Sequence, residues 1–362
     1  MAEIWEDLLQ VSQIGVRSDF FDLGGDSLAL VSLFAAIDAR FGRQLTVDIL
    51  SGGLTIARLA QILGNEPPQV QIDPVVALQP LGNLPPFFCA HGIGGDVLHL
   101  HRLAVNMGTD RPFFGLRRTP EASLSDTIPE LARRYVNAIL VHQPVGPFYL
   151  GGASFGAMIA YEMARQLLEQ GHEIGLLAII DQRRPGWRLT VRDMILTLPQ
   201  ILANIPHRIR DELVQVPAAK RLRAMRRLLL RWSKTALGLR PGVSLMFDLS
   251  LAKPEQIILF ESHTRALRNY RPAPLPITIT LLRADKQLLS HLALDRSLGW
   301  SKVTKREVQV RTVSGTHESI MAEPLVRQLA QTLSAELDAA QGVTYAAKHS
   351  RLNLTNGCAC VD

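Results

Sequence analysis

The 362-residue sequence predicts two parts: a small all-α bundle over residues 1–64, then a larger domain whose mostly parallel sheet is covered by helices on both faces. Three observations predict this. Residues before 70 show only helical spacing. The stretch GNEPPQVQIDP, residues 64–74, is rich in proline, glycine and polar side chains without a period, as linkers are. After it, short continuous apolar runs alternate with amphipathic stretches, the pattern of strands buried on both faces.

The elements follow in order. In EIWEDLLQVS, residues 3–12, Ile4, Leu8 and Leu9 share one helical face. In residues 27–42, Leu30, Leu33, Phe34 and Ile37 recur at helical spacing, and TIARLAQIL, residues 55–63, reads as a third helix. Strands are expected at 75–79, 86–91, 112–116, 148–154, 174–181, 277–284 and 308–315, with helices at 128–143 and 155–171. The 95 residues between Asp181 and Ile277 carry long amphipathic stretches and read as a helical insertion. The sequence contains no internal repeat and no low-complexity tract.

Hydrophobic residues make up 47% and charged residues 20%, enough for a sizeable core, and the net charge is +6. That charge is concentrated in residues 218–234, AAKRLRAMRRLLLRWSK, which hold seven basic residues and no acidic one. Leu222, Met225, Leu229 and Trp232 keep helical spacing there. The segment reads as a solvated helix face, as a surface receiving the acidic end of the first domain (Asp19, Asp22 and Asp26), or as a membrane or nucleic-acid contact. No aromatic interleaving supports nucleic acid. Three scattered cysteines, Cys89, Cys358 and Cys360, point to a reducing cytoplasm rather than a disulfide framework. The acidic start MAEIWEDLLQ is unlike a signal peptide, and no apolar segment reaches the length of a membrane span. Residues 342–362 lose all period and read as a disordered tail. Two cysteines in GCAC alone make a poor metal site.

Two serines stand out. Ser27 follows LGGD, where glycines permit a tight turn, and opens a helix, whose N-terminus attracts anions such as an attached phosphate. A plain serine N-cap is the alternative. IWEDLLQV…DFFDLGGDSLAL resembles the peptidyl carrier (thiolation) domains of nonribosomal peptide synthetases over roughly residues 2–64. The resemblance implies a four-helix carrier bundle with Ser27 carrying 4'-phosphopantetheine, installed from coenzyme A by a phosphopantetheinyl transferase. Upstream synthetase modules would then load an acyl or peptidyl thioester onto it.

Ser154 lies in GASFG, residues 152–156, between a strand and a clear helix, the setting of a G-x-S-x-G nucleophile elbow. A serine nucleophile needs a base and an orienting acid, expected in the chain order serine, acid, histidine. Asp181 ends the strand IGLLAIID and His317 sits in VSGTHESIM past the last strand. Asp285 in LLRADK is the second candidate acid. The glycine-rich CAHGIGGD, residues 89–96, follows the second strand, so the Ile93 and Phe155 amides are the expected oxyanion donors. His91 and Asp96 read as structural or rim residues.

Residues 76–341 resemble the type I thioesterase domain that ends such synthetases, through PPFFCAHGIGG, FYLGGASFGAMIAYEMA, LLAIID, HTRALRNYRP, SLGW and VSGTHESIM. This implies an α/β-hydrolase fold with a helical lid over about 186–262, and a triad at Ser154, Asp181 and His317. The family commonly has tryptophan where Ala153 stands and a second glycine where Ala157 stands, departures that bear on the shape of the elbow. The expected activity is a carrier-linked thioesterase releasing the chain by hydrolysis or macrocyclisation, without a metal. An editing thioesterase acting on other carriers, and a non-catalytic carrier or acyl-binding module, are the alternatives.

Overall fold

The computed structural model describes residues 1–25, 27–43, 45, 49, 53–64, 73–119, 122–186, 199, 226, 230, 254–286, 295–317 and 319–343. Most of the expected lid, most of the basic segment 218–234, Asp26 and the tail beyond 343 lie outside them, as does most of the stretch between the second and third helices where a fourth would fall.

The N-terminal part contains α1 (Ala2–Leu9), α2 (Ser27–Phe41) and α3 (Ile56–Gly64). The first helix stops three residues short of the expected end because Gln10 takes a left-handed conformation at φ 56°. Its buried face is centred on Ile4 and Trp5, with Leu8 and Leu9 only partly covered. Trp5 packs edge-on against Phe20 at 5.0 Å, and Leu30, Leu33 and Ile37 of α2 complete the small core.

The second part contains a seven-stranded sheet: β1 (Val75–Gln79), β2 (Phe87–Ala90), β3 (Phe113–Leu116), β4 (Phe148–Ala153), β5 (Ile174–Ile180), β6 (Ile279–Ala284) and β7 (Val308–Val313). The spatial order is β1-β3-β2-β4-β5-β6-β7. β1 runs antiparallel to β3 and every other pair is parallel. The central strands β2 and β4 are buried along their whole length, which is why they read as unbroken apolar runs.

Helices α4 (Leu98–Asn106) and α8 (Leu325–Ala340) pack on one face, with Phe87, Cys89 and Phe113. On the other, α5 (Ile128–His142) and α6 (Phe155–Glu169) pack with Phe88, Leu150 and Ile179. A further helix, α7 (Pro254–Asn269), returns the chain from the expected insertion to β6. The N-terminal part rests on α4: the Phe21 ring stacks on His101 at 4.2 Å. No helix among the described residues is long and apolar enough to cross a membrane.

Candidate active site

The turn from β4 into α6 explains why both glycines of GASFG are needed. A Cβ on Gly152 would lie 2.2 Å from the Gly156 carbonyl, and one on Gly156 would lie 2.3 Å from the Ala90 oxygen. Only glycines allow α6 to start this close to β2 and β4. Between them Ser154 is held at φ 53°, ψ −119°, a strained conformation for a residue with a side chain. Its own N–H reaches the Ile180 carbonyl at 3.3 Å, and its carbonyl accepts the Ala157 N–H at 3.1 Å.

The neighbouring strand supplies a carboxylate. Ala153 and Ile180 are paired in the register of β4 and β5, so Ser154 and Asp181 leave the same sheet edge side by side. Asp181 is 1% exposed and also has positive φ, 44°. Its Oδ1 accepts the Ala284 N–H at 2.8 Å, and its Oδ2 lies 3.0 Å from His317 Nδ1. The Asp181 main-chain oxygen lies 2.9 Å from the same nitrogen. With only acceptors around it, Nδ1 carries the proton, which leaves Nε2 as the basic nitrogen. Asp285 instead accepts the Gly315 N–H at 2.8 Å and lies 3.6 Å from the Lys286 ammonium. It braces the loop that delivers His317, while Asp181 touches the imidazole itself.

The loop after β2 lies beside the elbow. Here His91 Nδ1 is 2.5 Å from the Gly92 oxygen, and His263 Nδ1, from α7, is 2.7 Å from the Ile93 oxygen. The rings of Phe155, His263 and His91 stack together, with centroids 4.5 Å apart for Phe155 and His263 and 5.8 Å for Phe155 and His91. Burial lowers the His91 pKa to about 3 and that of His263 to about 4, so both rings are neutral near pH 7. His91 is fully buried, a structural residue rather than a rim one, whereas Asp96 is exposed and accepts the Leu98 N–H at 2.6 Å where α4 begins. His263 carried no role in the sequence reading, although it opens HTRALRNYRP. Its partner lies 170 residues away, and no local pattern reports such a contact.

A cavity of about 510 Å³ among the described residues lies elsewhere, bordered by Asp126, Glu162, Arg165, Arg265 and Tyr270. There the buried Glu162 carboxylate is shared by Arg165 and Tyr270, an ion-pair network separate from Ser154.

Ser27 is the first residue of α2, and no acidic residue follows it in the first turn. Gly24 before it has φ +94°, and a Cβ on Gly25 would fall 2.3 Å from the Phe20 ring. A serine opening a helix, without carboxylates in the turn that follows, fits a phosphodiester. Asp19, read as part of an acidic recognition face, instead accepts the Phe21 and Leu54 N–H groups at 2.9 and 2.8 Å and holds this loop together. Among the described residues no cluster of histidine, cysteine or carboxylate side chains could hold a metal ion.

Comparison with known proteins agrees with both halves. A family model described as thioesterase domain matches residues 85–337, and one described as phosphopantetheine attachment site matches residues 1–63. A chondramide synthase of Chondromyces crocatus is 28% identical over 347 residues, 93% of this chain and 9% of the synthase. An indigoidine synthase of Dickeya dadantii is 36% identical over 191 residues, 51% of this chain and 13% of that protein. A holo four-domain nonribosomal peptide synthetase, solved with AMP and glycine, superposes with a TM-score of 0.54 at 25% identity, covering 92% of this chain and 25% of that one. The chain thus spans about a tenth of the length of these curated relatives.

Proposed function

The chain belongs to the thioesterase-domain family and carries a phosphopantetheine attachment domain ahead of it; from that premise we propose that it holds an acyl or peptidyl chain as a thioester and releases that chain at Ser154. We assign residues 1–64 to the carrier, 65–75 to the linker, 76–341 to the thioesterase with its lid at about 186–262, and the remainder to a tail. Ser27 is the attachment residue in this reading. When bound, 4'-phosphopantetheine supplies a terminal thiol on which the acyl chain is carried.

The observation that carries the reading is the strained Ser154 elbow leaving the same sheet edge as the Asp181–His317 pair. His317 Nε2 takes the proton of Ser154 Oγ as that oxygen attacks the thioester carbonyl. The Ile93 and Phe155 amides face the oxygen that gains negative charge. The carbon–sulfur bond breaks and the proton passes from His317 to the departing thiol. The acyl group now sits on Ser154 as an ester. His317 next takes a proton from water, or from an amine or hydroxyl within the chain, as that nucleophile attacks the ester; the acyl–Oγ bond breaks and His317 returns the proton to Ser154 Oγ. Asp181 holds the imidazole in one tautomer and balances its charge in each half-reaction. A linker that keeps carrier and thioesterase on one chain raises the local concentration of the thioester. A phosphopantetheinyl transferase and upstream synthetase modules are the partners this requires, and the sparse cysteines suit a cytoplasmic setting.

Intact-protein mass spectrometry tests the reading. Wild type and Ser154→Ala are loaded by a phosphopantetheinyl transferase with an acyl-coenzyme A. Wild type is expected to shed the acyl group while the variant keeps it on Ser27, and the released mass identifies water or an internal group as acceptor. Wild type retaining its acyl group as long as the variant, together with no fluorophosphonate labelling at Ser154, would overturn it.

A further inference from the structure

The Ile93 residue is gripped from both sides. A trans peptide is planar, and its C=O and N–H point in opposite directions. His91 Nδ1 binds the Gly92 oxygen, so the Gly92–Ile93 peptide is fixed and its N–H, that of Ile93, is turned away from His91. His263 Nδ1 binds the Ile93 oxygen, which fixes the next peptide. The Gly92 oxygen also accepts the Gly95 N–H at 3.1 Å, so the first peptide is held twice, and the Ile93–Gly94 peptide, in a glycine-rich turn, is the one that His263 keeps from turning over. A carbonyl can only accept, so each imidazole must present Nδ1–H.

We propose that His263 is a positioning residue for the oxyanion site: holding the Ile93 carbonyl while lying on the Phe155 ring, it lets α7 fix where the Ile93 and Phe155 backbones, and so their amides, stand against the reacting carbonyl. This rests on the reading of Ser154 and Ile93 given above. The imidazole is suited to the task in two ways. It lies flat on Phe155, whose amide is the second oxyanion donor, so one side chain registers both donors against each other. It is 2% exposed and stacked on His91 at 5.5 Å, so neither water nor a rotamer change competes for the Ile93 oxygen. The neutral state of both rings keeps the stack free of like-charge repulsion.

Helix α7 and the residue that follows it are also tied to the body of the domain, around the cavity bordered by Glu162 and Tyr270. Ser262 Oγ donates to the Leu124 carbonyl, and Tyr270 Oη donates to Glu162 of α6 at 2.9 Å. A displacement of α7 would release the Ile93 oxygen and the Phe155 ring together. The oxyanion site is then complete only while α7 is seated.

Two substitutions separate donor from ring. His263→Phe keeps an aromatic ring against Phe155 but has no N–H. His263→Asn loses the ring but keeps an N–H close to the position of Nδ1. The readout is phosphonylation by a biotinylated fluorophosphonate: Ser154 Oγ bonds to phosphorus, fluoride leaves, His317 takes the serine proton, and the phosphoryl oxygen occupies the oxyanion position. The maximal labelling rate of His263→Phe is expected to fall about 10- to 100-fold, the half-saturating probe concentration staying within about twofold, since one misdirected oxyanion donor acts on the barrier rather than on binding. His263→Asn is expected to recover most of the rate. His263→Phe labelling as fast as wild type, a loss seen only in probe affinity, or equal losses in both variants would overturn the proposal. Should His263→Phe fail to fold, slow labelling by a folded His263→Asn overturns it and near-wild-type labelling supports it. Ser154→Ala separates the two levels of the argument. If that variant is still labelled, or wild type is not, the reading of Ser154 falls and this inference with it. An unlabelled Ser154→Ala beside a fully active His263→Phe removes this inference alone.

Discussion

Substituting Gly156 by alanine tests whether the approach of α6 to β2 sets the reaction geometry. The new Cβ would lie 2.3 Å from the Ala90 oxygen and 2.6 Å from the His91 oxygen, both backbone atoms of a central strand and its exit. Neither can swing aside, so α6 must retreat by roughly 0.7 Å to bring the nearer contact to even 3.0 Å, an overpacking change that typically costs about 1–3 kcal/mol. The retreat carries Ser154 and the Phe155 amide away from the Ile93 loop. A misplacement near 1 Å can lower a rate about 10²-fold, or about 2.7 kcal/mol of barrier. The assay pairs urea unfolding with the maximal rate of fluorophosphonate labelling. Gly64→Ala is the control, since a Cβ there meets nothing within 4 Å. If Gly156→Ala keeps the wild-type midpoint and the wild-type rate, the steric account of the elbow is wrong.

Asp181→Asn should lower turnover by about 10³- to 10⁴-fold, because an amide cannot hold the same imidazole tautomer, while Asp285→Asn should cost less than about tenfold; steady-state kinetics showing the reverse order would reassign the acid. Acid should destabilise the fold through His91 and His263, whose pKa values fall from 6.5 to about 3 and about 4 on burial. The unfolded chain takes up these protons first, so stability is full above pH 6.5 and lost as pH falls, by up to ~1.4 kcal/mol per pH unit for each ring, until the folded form itself protonates. Urea midpoints between pH 7 and 4 check this, and His91→Phe should flatten the slope. Trp5→Ala removes a fully buried ring from the small N-terminal core and should cost about 3–5 kcal/mol there, abolishing loading of Ser27 while Ser154 remains open to a fluorophosphonate; equal loss of both would mean that the two parts do not fold separately.

The seven strands were legible because parallel strands buried on both faces must be apolar throughout, and FYLGGA of β4 shows the rule plainly. Strand direction was not, since VVALQ is equally suited to the antiparallel pairing that β1 makes with β3. Helix α4 escaped notice because His99, His101 and Arg102 interrupt its apolar period. The His99 ring lies against Gly92 of the glycine-rich loop and His101 stacks on Phe21 of the N-terminal part, so ring contacts replace aliphatic packing there. The elbow could be read because its serine sits between a strand and a helix, with flanking glycines. The sequence favours Asp181 over Asp285 although both end parallel strands, and the fold puts Asp181, not Asp285, within hydrogen-bond distance of the His317 imidazole. Trp5 joined Ile4 as the anchor of α1, ahead of the expected Leu8 and Leu9, because its indole packs at 78° to the Phe20 ring.

The positive φ angles at Ser154 and Asp181 carry an evolutionary consequence. Adjacent strands each end on a residue in a conformation that glycine adopts freely, and that asparagine tolerates in the left-handed region. Selection for the reaction therefore acts against selection for the fold at Ser154, whereas the Asp181 carboxylate also holds the buried Ala284 N–H. Ser154→Gly should abolish the chemistry yet raise stability by up to about 1 kcal/mol. In a lineage that ceased to use the site, nothing would oppose that gain. Glycine at 154 would then accumulate as a signature of disuse while the sheet around it stayed intact.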